Sequence, residues 1–304
     1  MNLLPENIVN LQAITTDSVQ LPLIGNAGIT LDVLRLDRID PVISGNKWFK
    51  LQYYLAGALA AGKKNLITFG GPYSNHIIAT ACAAAKAGLS STGIIRGERP
   101  ARLSHTLQDA LHWGMQLVFI PREQYRQKNS QAFIEQLLHE YADAAVIPEG
   151  GGGELGVKGA AGIMEIPGLT AYTHLLCAVG TGTLLSGLAL AAAPHQQVTG
   201  ISVLKGFGNQ YPATLPETAW KNTGIAGNYH FGGYAKKNGI LIDFMNDWYL
   251  QTGIPSDFVY TGKLFFGVMD LIAKGYFPEK SRLLAIHSGG LQGNHSLPAK
   301  TLVF

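Results

Sequence analysis

Only two cysteines occur in the 304 residues, Cys82 and Cys177, and each sits in an apolar stretch. Neither belongs to a Cys-x-x-Cys pair or has a metal-like histidine spacing beside it, which argues against a disulfide framework or a metal site and leaves buried free thiols as the expectation. Charge is also scarce: 14% of residues are Asp, Glu, Lys or Arg and the formal net charge is only +3. With no basic stripe, no arginine-rich run and no zinc-finger or helix-turn-helix spacing, nucleic acid is excluded as an expected partner. The longest apolar run, Leu184 to Ala193, is too short to span a bilayer, and Met1 to Leu11 lack a positive patch followed by an apolar core. A cytoplasmic protein without a membrane partner is therefore expected. Carboxylate pairs at acid/base spacing, a Ser/His/Asp arrangement and a repeat of fixed period are lacking as well.

What is present is a chain able to build a large core, 47% apolar by residue. Its 37 glycines stand well above the average of about 7% and are clustered rather than periodic, pointing to loops that ligands approach closely. From about residue 63, short apolar runs alternate with helical patterns. Leu66 to Phe69, Gly93 to Arg96 and Leu117 to Ile120 read as buried strands, with helices expected over 74–87 and 102–113. After the glycine run 150–153, strands are expected at 174–179, 200–204 and 283–286, and helices at 183–193, 238–252 and 263–274. Such an order implies two α/β units with mostly parallel sheets and a cleft between them.

Four segments carry chemistry. In Ser44-Gly45-Asn46-Lys47-Trp48-Phe49, a lysine follows turn-forming residues and precedes an apolar-periodic run, so Lys47 is placed to form a Schiff base with an aldehyde cofactor. Gly70-Gly71-Pro72-Tyr73-Ser74-Asn75-His76 joins a strand to an alanine-rich helix, gathering amides and a hydroxyl where a carboxylate could bind; the plain alternative makes Ser74 an ordinary helix cap. Gly180-Thr181-Gly182-Thr183 repeats the logic after the next strand and suits a phosphate. It is no Walker loop, because no Gly-Lys-Ser/Thr follows, and Leu185 replaces the third glycine of the dinucleotide fingerprint, so a phosphate monoester is expected. Finally, Tyr234, Tyr260 and the run His287-Ser288-Gly289-Gly290 could bring phenols and a hydroxyl to the same cleft.

Taken in this order, the segments resemble the fold-type-II pyridoxal-phosphate enzymes of the tryptophan-synthase-β kind, specifically the aminocyclopropane-carboxylate deaminase and D-cysteine desulfhydrase family. The resemblance spans about residues 34 to 293 and includes Tyr-Thr-Gly-Lys at 260–263. It implies two open twisted α/β domains, a small one of residues 48–145 and a large one of 1–47 and 146–304, with the cofactor between them and a homodimeric assembly. Lys47 resembles the lysine that binds the cofactor and moves the α-proton, with Asn46 beside it. Ser74, Asn75 and His76 resemble the loop that takes the substrate carboxylate, Asn75 also touching the cofactor. Gly180, Thr181, Gly182 and Thr183 resemble the phosphate cradle, and Tyr234 and Tyr260 the tyrosines that flank substrate.

The resemblance also separates two branches. The deaminases carry a glutamate after the tyrosine matched by Tyr260, supporting a protonated pyridine ring, and an apolar residue after the later histidine. Here those positions hold Thr261 and Ser288, hydroxyl residues as in the desulfhydrase branch. A neutral hydroxyl makes the ring a milder electron sink, which disfavours cyclopropane opening and favours β-elimination from a D-cysteine-like amino acid to pyruvate, ammonia and sulfide. The expected partner is thus a small amino acid. Deaminase or racemase activity, or a silent ligand-binding protein, are the alternatives. The segment before Lys47 lacks the family's proline-rich lead-in, and Trp48-Phe49 replaces more polar residues, differences that bear on substrate more than on cofactor.

Overall fold

The computed structural model describes residues 4, 5, 7–206, 212 and 215–304. In chain order its first half contains β1 (Thr16–Ser18), α1 (Pro22–Asn26), β2 (Thr30–Arg35), α2 (Asn46–Ala60), β3 (Asn65–Gly70), α3 (Asn75–Lys86) and β4 (Ser90–Arg96). There follow α4 (His105–His112), β5 (Met115–Ile120), α5 (Arg122–Tyr125), α6 (Gln131–Glu140), β6 (Ala144–Ile147) and α7 (Gly153–Ala161). The last part comprises β7 (His174–Val179), α8 (Thr183–Ala191), β8 (Gln197–Ser202), β9 (Thr223–Ala226), α9 (Gly239–Thr252), α10 (Thr261–Ala273) and β10 (Arg282–His287).

These strands form two sheets, one of order β1-β2-β10-β7-β8-β9 and one of order β5-β4-β3-β6. Every pairing is parallel except β1 with β2 at one edge. Parallel sheets are covered on both faces, so their strands read as near-continuous apolar runs. Alternate residues of the larger sheet feed separate cores: Leu34, Leu175, Cys177, Val179, Leu284 and Ile286 pack on one face. Leu31, Val33, Leu176, Ala178, Leu283 and Ala285 pack on the other. Both cysteines are buried and free.

The strand order fixes where a ligand can sit. From β7 the chain proceeds to β8 on one side while β10 lies on the other; from β3 it proceeds to β4 while β6 lies opposite. Open α/β sheets bind ligands beyond the carboxyl ends of strands at such reversals. Here the reversals hold the turns that follow β3, β6, β7 and β10.

The expected strands and helices of 66–120 and 174–286 are present with shifted ends. The helix expected from residue 102 starts at His105 because the Ser104 hydroxyl accepts from Leu107 N at 3.2 Å and caps it there. The strand expected to reach residue 204 ends at Ser202, whose hydroxyl takes up the Leu204 amide. Sequence reading does not anticipate β1, β2, β6 or β9; β2 has six residues, and the other three are only three or four residues long. Among the described residues, no helix is long and apolar enough to cross a membrane.

Candidate active site

The four turns enclose a cavity of about 930 Å³. Its wall contains Asn46, Lys47, Ser74, Asn75, His76, Gly180, Thr181, Gly182, Tyr234, Tyr260 and Ser288, residues brought together from separated segments of the chain. Thr183 is the exception. It is buried, and its hydroxyl turns to Thr181 Oγ1 at 3.1 Å, so only its backbone amide can serve the cradle expected of it.

Lys47 stands in the first turn of α2. The helix begins where Gly45 adopts φ 69° and ψ −141°. A Cβ on Gly45 would lie 2.0 Å from Ser288 O, so only glycine permits this contact. Asn46 N donates to the same Ser288 oxygen at 3.2 Å, locking the helix start onto the turn after β10. The Lys47 ammonium donates to Asn46 Oδ1 at 3.1 Å and lies 5.8 Å from the centre of the Tyr260 ring. It lines the cavity, and desolvation lowers the amine to about 8 against an opposing pull from Asp257. The Tyr260 ring in turn closes on the glycine loop: a Cβ on Gly180 would meet its Cε1 at 3.2 Å.

At the start of α3, Ser74 occupies the cap position, yet its hydroxyl makes no capping hydrogen bond. The plain reading of Ser74 as an ordinary cap therefore fails, and the hydroxyl remains for a ligand. His76 Nε2 is 2.7 Å from Thr68 Oγ1, whose single proton goes to Ile147 O at 2.9 Å. The proton between them must then belong to His76 Nε2, which leaves Nδ1 as an acceptor. Burial, followed by the charges of Lys47 and Lys50, holds this imidazole well below its ordinary value and keeps it neutral. Both His76 Nδ1 and Asn75 Oδ1 are buried without a hydrogen-bond partner among the described residues.

Three features of the site escape sequence reading. Lys50, 4% exposed, lies one helical turn after Lys47 and lines the same cavity. Burial, then the charge of Lys47, depresses it well below the usual lysine value. The Gly150–Gly151 turn links it to the glycine loop, since a Cβ on Gly151 would meet Lys50 Cβ at 2.9 Å and one on Gly150 would meet Thr181 Cγ2 at 3.1 Å. The i, i+3 spacing of the two lysines is the signal that could reveal it.

Asp257 is the second. Fully buried, it accepts from the amides of Val259, Tyr260 and Thr261, each at 2.9 Å, and from the Thr261 hydroxyl at 2.8 Å. An acid ahead of a helix start is the sequence signal for such a cap. Its presence corrects the expectation for Thr261. That hydroxyl donates to Asp257 Oδ1, accepts from Asp257 N at 2.7 Å and is absent from the cavity wall, so Ser288 alone presents a hydroxyl there from this pair. The third is Glu149, the one carboxylate among the described lining residues. It accepts from the Tyr125 hydroxyl at 2.9 Å, and its charge adds to the upward shift of Tyr234 and Tyr260.

A phosphorylated pyridine aldehyde fits this set. Thr183 and its neighbours start a nine-residue helix whose first amides lack intrahelical acceptors, and Lys50 adds an amine beside the same loop whose charged form a phosphate would favour. Lys47 supplies the amine, Ser288 a hydroxyl, and the orphaned Asn75 Oδ1 a polar atom awaiting a partner.

No protein-family model matches the chain. It is 32% identical over 290 residues to a Pyrococcus abyssi protein provisionally named 1-aminocyclopropane-1-carboxylate deaminase, covering 88% of this chain and 86% of that protein. A Pyrococcus horikoshii protein with the same provisional name is 30% identical over 277 residues, covering 86% and 84%. Among solved structures, one described as an ACC deaminase homologue superposes with a TM-score of 0.74 at 26% identity, over 92% of this chain and 90% of that one.

Proposed function

The chain belongs to the 1-aminocyclopropane-1-carboxylate deaminase family of fold-type-II pyridoxal-phosphate enzymes, and from that premise we propose β-elimination from a D-cysteine-like amino acid, giving pyruvate, ammonia and sulfide. The observation that carries this choice is the cavity wall itself: Ser288 lines it, and the one carboxylate that does so among the described residues, Glu149, is engaged by the Tyr125 hydroxyl. Bound pyridoxal phosphate supplies an aldehyde to the substrate amine and a ring that withdraws the electron pair left by the α-proton.

The protein's own groups do the rest. The α8 start and Lys50 would hold the phosphate, a dianion favouring the charged form of Lys50 that burial otherwise disfavours. Ser74 Oγ and the free amides at the start of the twelve-residue α3 would take the substrate carboxylate. Lys47 Nζ, lowered to about 8, is neutral in a useful fraction of molecules and can remove the α-proton. Tyr260 is held protonated, its phenol pushed well above its ordinary value by burial and then by Tyr234, so it can donate to a departing thiolate. Ser288 would offer the ring nitrogen a neutral partner, enough for a substrate with a good leaving group and poor for breaking a cyclopropane bond.

Deaminase activity is the second reading. It is favoured by the relatives' names and by Asp257, whose carboxylate lies behind Thr261 and returns negative charge near the position where deaminases carry glutamate. A cytoplasmic location, supported by two free thiols, belongs to the same proposal, as do a homodimer and a small domain of residues 48–145, both supported by the family resemblance.

Purified holoenzyme given D-cysteine, L-cysteine and aminocyclopropane carboxylate separately, with keto acid and sulfide assayed, tests the choice. Pyruvate and sulfide from D-cysteine are expected. A keto acid from aminocyclopropane carboxylate with none from either cysteine would transfer the assignment to the deaminase branch.

A further inference from the structure

Lys263, in the second half-turn of α10, has no part in the chemistry described above. None of its surface is exposed, and its ammonium donates to two backbone carbonyls, Gly233 O at 2.8 Å and His230 O at 2.9 Å. Among the described residues it forms no ion pair; burial pushes the amine down to about 8, and only the more distant Asp257 opposes this. A buried charge held by neutral carbonyl oxygens is a costly arrangement, and it calls for a reason.

The segment it grips supplies one. Phe231, Gly232, Gly233 and Ala235 all adopt positive φ, at 50°, 95°, 127° and 53°, and two of these residues carry a Cβ that disfavours the conformation. Within the segment, Gly233 N donates to His230 O at 2.9 Å, Lys236 N to Gly233 O at 3.2 Å, and Gly232 N to His230 Nδ1 at 2.9 Å. The turn thus uses one lone pair on each of the two carbonyls and aims the other at a single point, where the ammonium sits. Converging backbone carbonyls without a carboxylate are the ligands of a monovalent cation, which the ammonium matches in charge. Tyr234 follows directly, its ring 6.1 Å from that of Tyr260 at the mouth of the cavity.

We propose that Lys263 is a tethered monovalent cation: its ammonium occupies, between the carbonyls of His230 and Gly233, a site that free potassium or ammonium would otherwise fill, and so positions Tyr234. Tethering makes occupancy independent of the salt outside. The consequence for Tyr234 rests on the functional reading above; the cation site does not.

Hydrogen exchange of the Gly232, Gly233 and Lys236 amides tests it without substrate, on holoenzyme in choline, potassium or ammonium chloride at equal ionic strength. The wild-type protein should exchange at one rate in all three salts. Lys263→Ala should exchange at least about tenfold faster in choline, the scale of a lost charge-assisted hydrogen bond, with potassium or ammonium restoring protection in a saturable way. Lys263→Met, which fills the space without a charge, should exchange fast in every salt, and it carries the test if the alanine variant fails to fold. Wild-type protection in either variant in choline, or an alanine variant equally fast in all three salts, would overturn the proposal. Turnover by Tyr234→Phe is read separately: if it equals wild type, the substrate role of Tyr234 falls while the exchange result stands.

Discussion

Lys47 and Lys50 face one cavity from one helix, and both amines are driven toward neutrality by desolvation. An amine attacks an aldehyde only when neutral, so the rate of pyridoxal-phosphate uptake by apoenzyme should rise with pH and level off above about 8, where Lys47 has lost its proton. The charge of Asp257 raises Lys47, so Asp257→Asn should move that midpoint to lower pH, read by stopped-flow absorbance. A midpoint left unchanged would remove Asp257 from the electrostatics of the site. Lys47 is legible in the sequence because glycine and asparagine precede it and an apolar period follows. Asp257 is not, because an acid ahead of a helix start signals a cap and not a site group, and its four hydrogen bonds arise only once residues 257–261 turn back on it. Thr261 shows the reverse error. A hydroxyl at a family position reads as a site group, but sequence does not tell whether that hydroxyl is already spent.

At the scale of elements, the helix starts carry the site, and α2 depends on one close approach. Gly45→Ala would set a Cβ 2.0 Å from Ser288 O at a φ of 69°. The variant should lose about 3 kcal/mol or more of stability and bind cofactor weakly, measured by denaturant unfolding and by absorbance titration. Near-wild-type values for both would mean that the contact with the β10 turn does not place Lys47. Strands β3, β4, β5, β7 and β10 are legible as apolar runs because parallel strands are buried on both faces. The glycines of α7 mislead, because their clustering suggests ligand loops. Gly159 instead lets α7 lie against α2, where a Cβ would fall 1.8 Å from Phe49 O. Close helix packing and close ligand approach demand the same residue, and composition does not separate them.

For the whole molecule, the turns of two sheets meet across a cleft, and a pair of histidine rings bridges it at the rim. His105 of α4 packs edge-on to His295, with ring centres 5.5 Å apart, and Tyr73 packs on the same His105. Burial, then His295, holds His105 below the ordinary histidine value, and the fully buried His76 and His287 are lowered as well. Each of these groups binds its proton more readily in the unfolded chain. Their stability contribution is therefore present above about pH 6.5 and is lost as pH falls through the lowered folded values. Melting temperature should drop between pH 7 and 5, and His105→Gln should flatten part of that loss, with His76, His287 and His174, the last also lowered by burial, contributing to the remainder. A His105→Gln variant with the same acid profile as wild type would show that the rim contact carries no pH dependence. The two-unit α/β plan and the cleft are legible from the alternation of runs; the rim contact is not, because it joins residues 190 positions apart in turns with no periodic pattern.

Everything above turns on which lysine meets the cofactor. Four lysines line the cavity, Lys47, Lys50, Lys236 and Lys237; burial lowers the first two, and it lowers Lys263 to about 8 as well, so desolvation alone does not choose among them. Reduction of the holoenzyme with borohydride, followed by proteolysis and mass spectrometry, reads the answer directly. A phosphopyridoxyl adduct on Lys47, absent from Lys47→Ala, is the expected result. The adduct on Lys50 or Lys263 with Lys47 unmodified, or no adduct on a protein loaded with pyridoxal phosphate, would contradict the account.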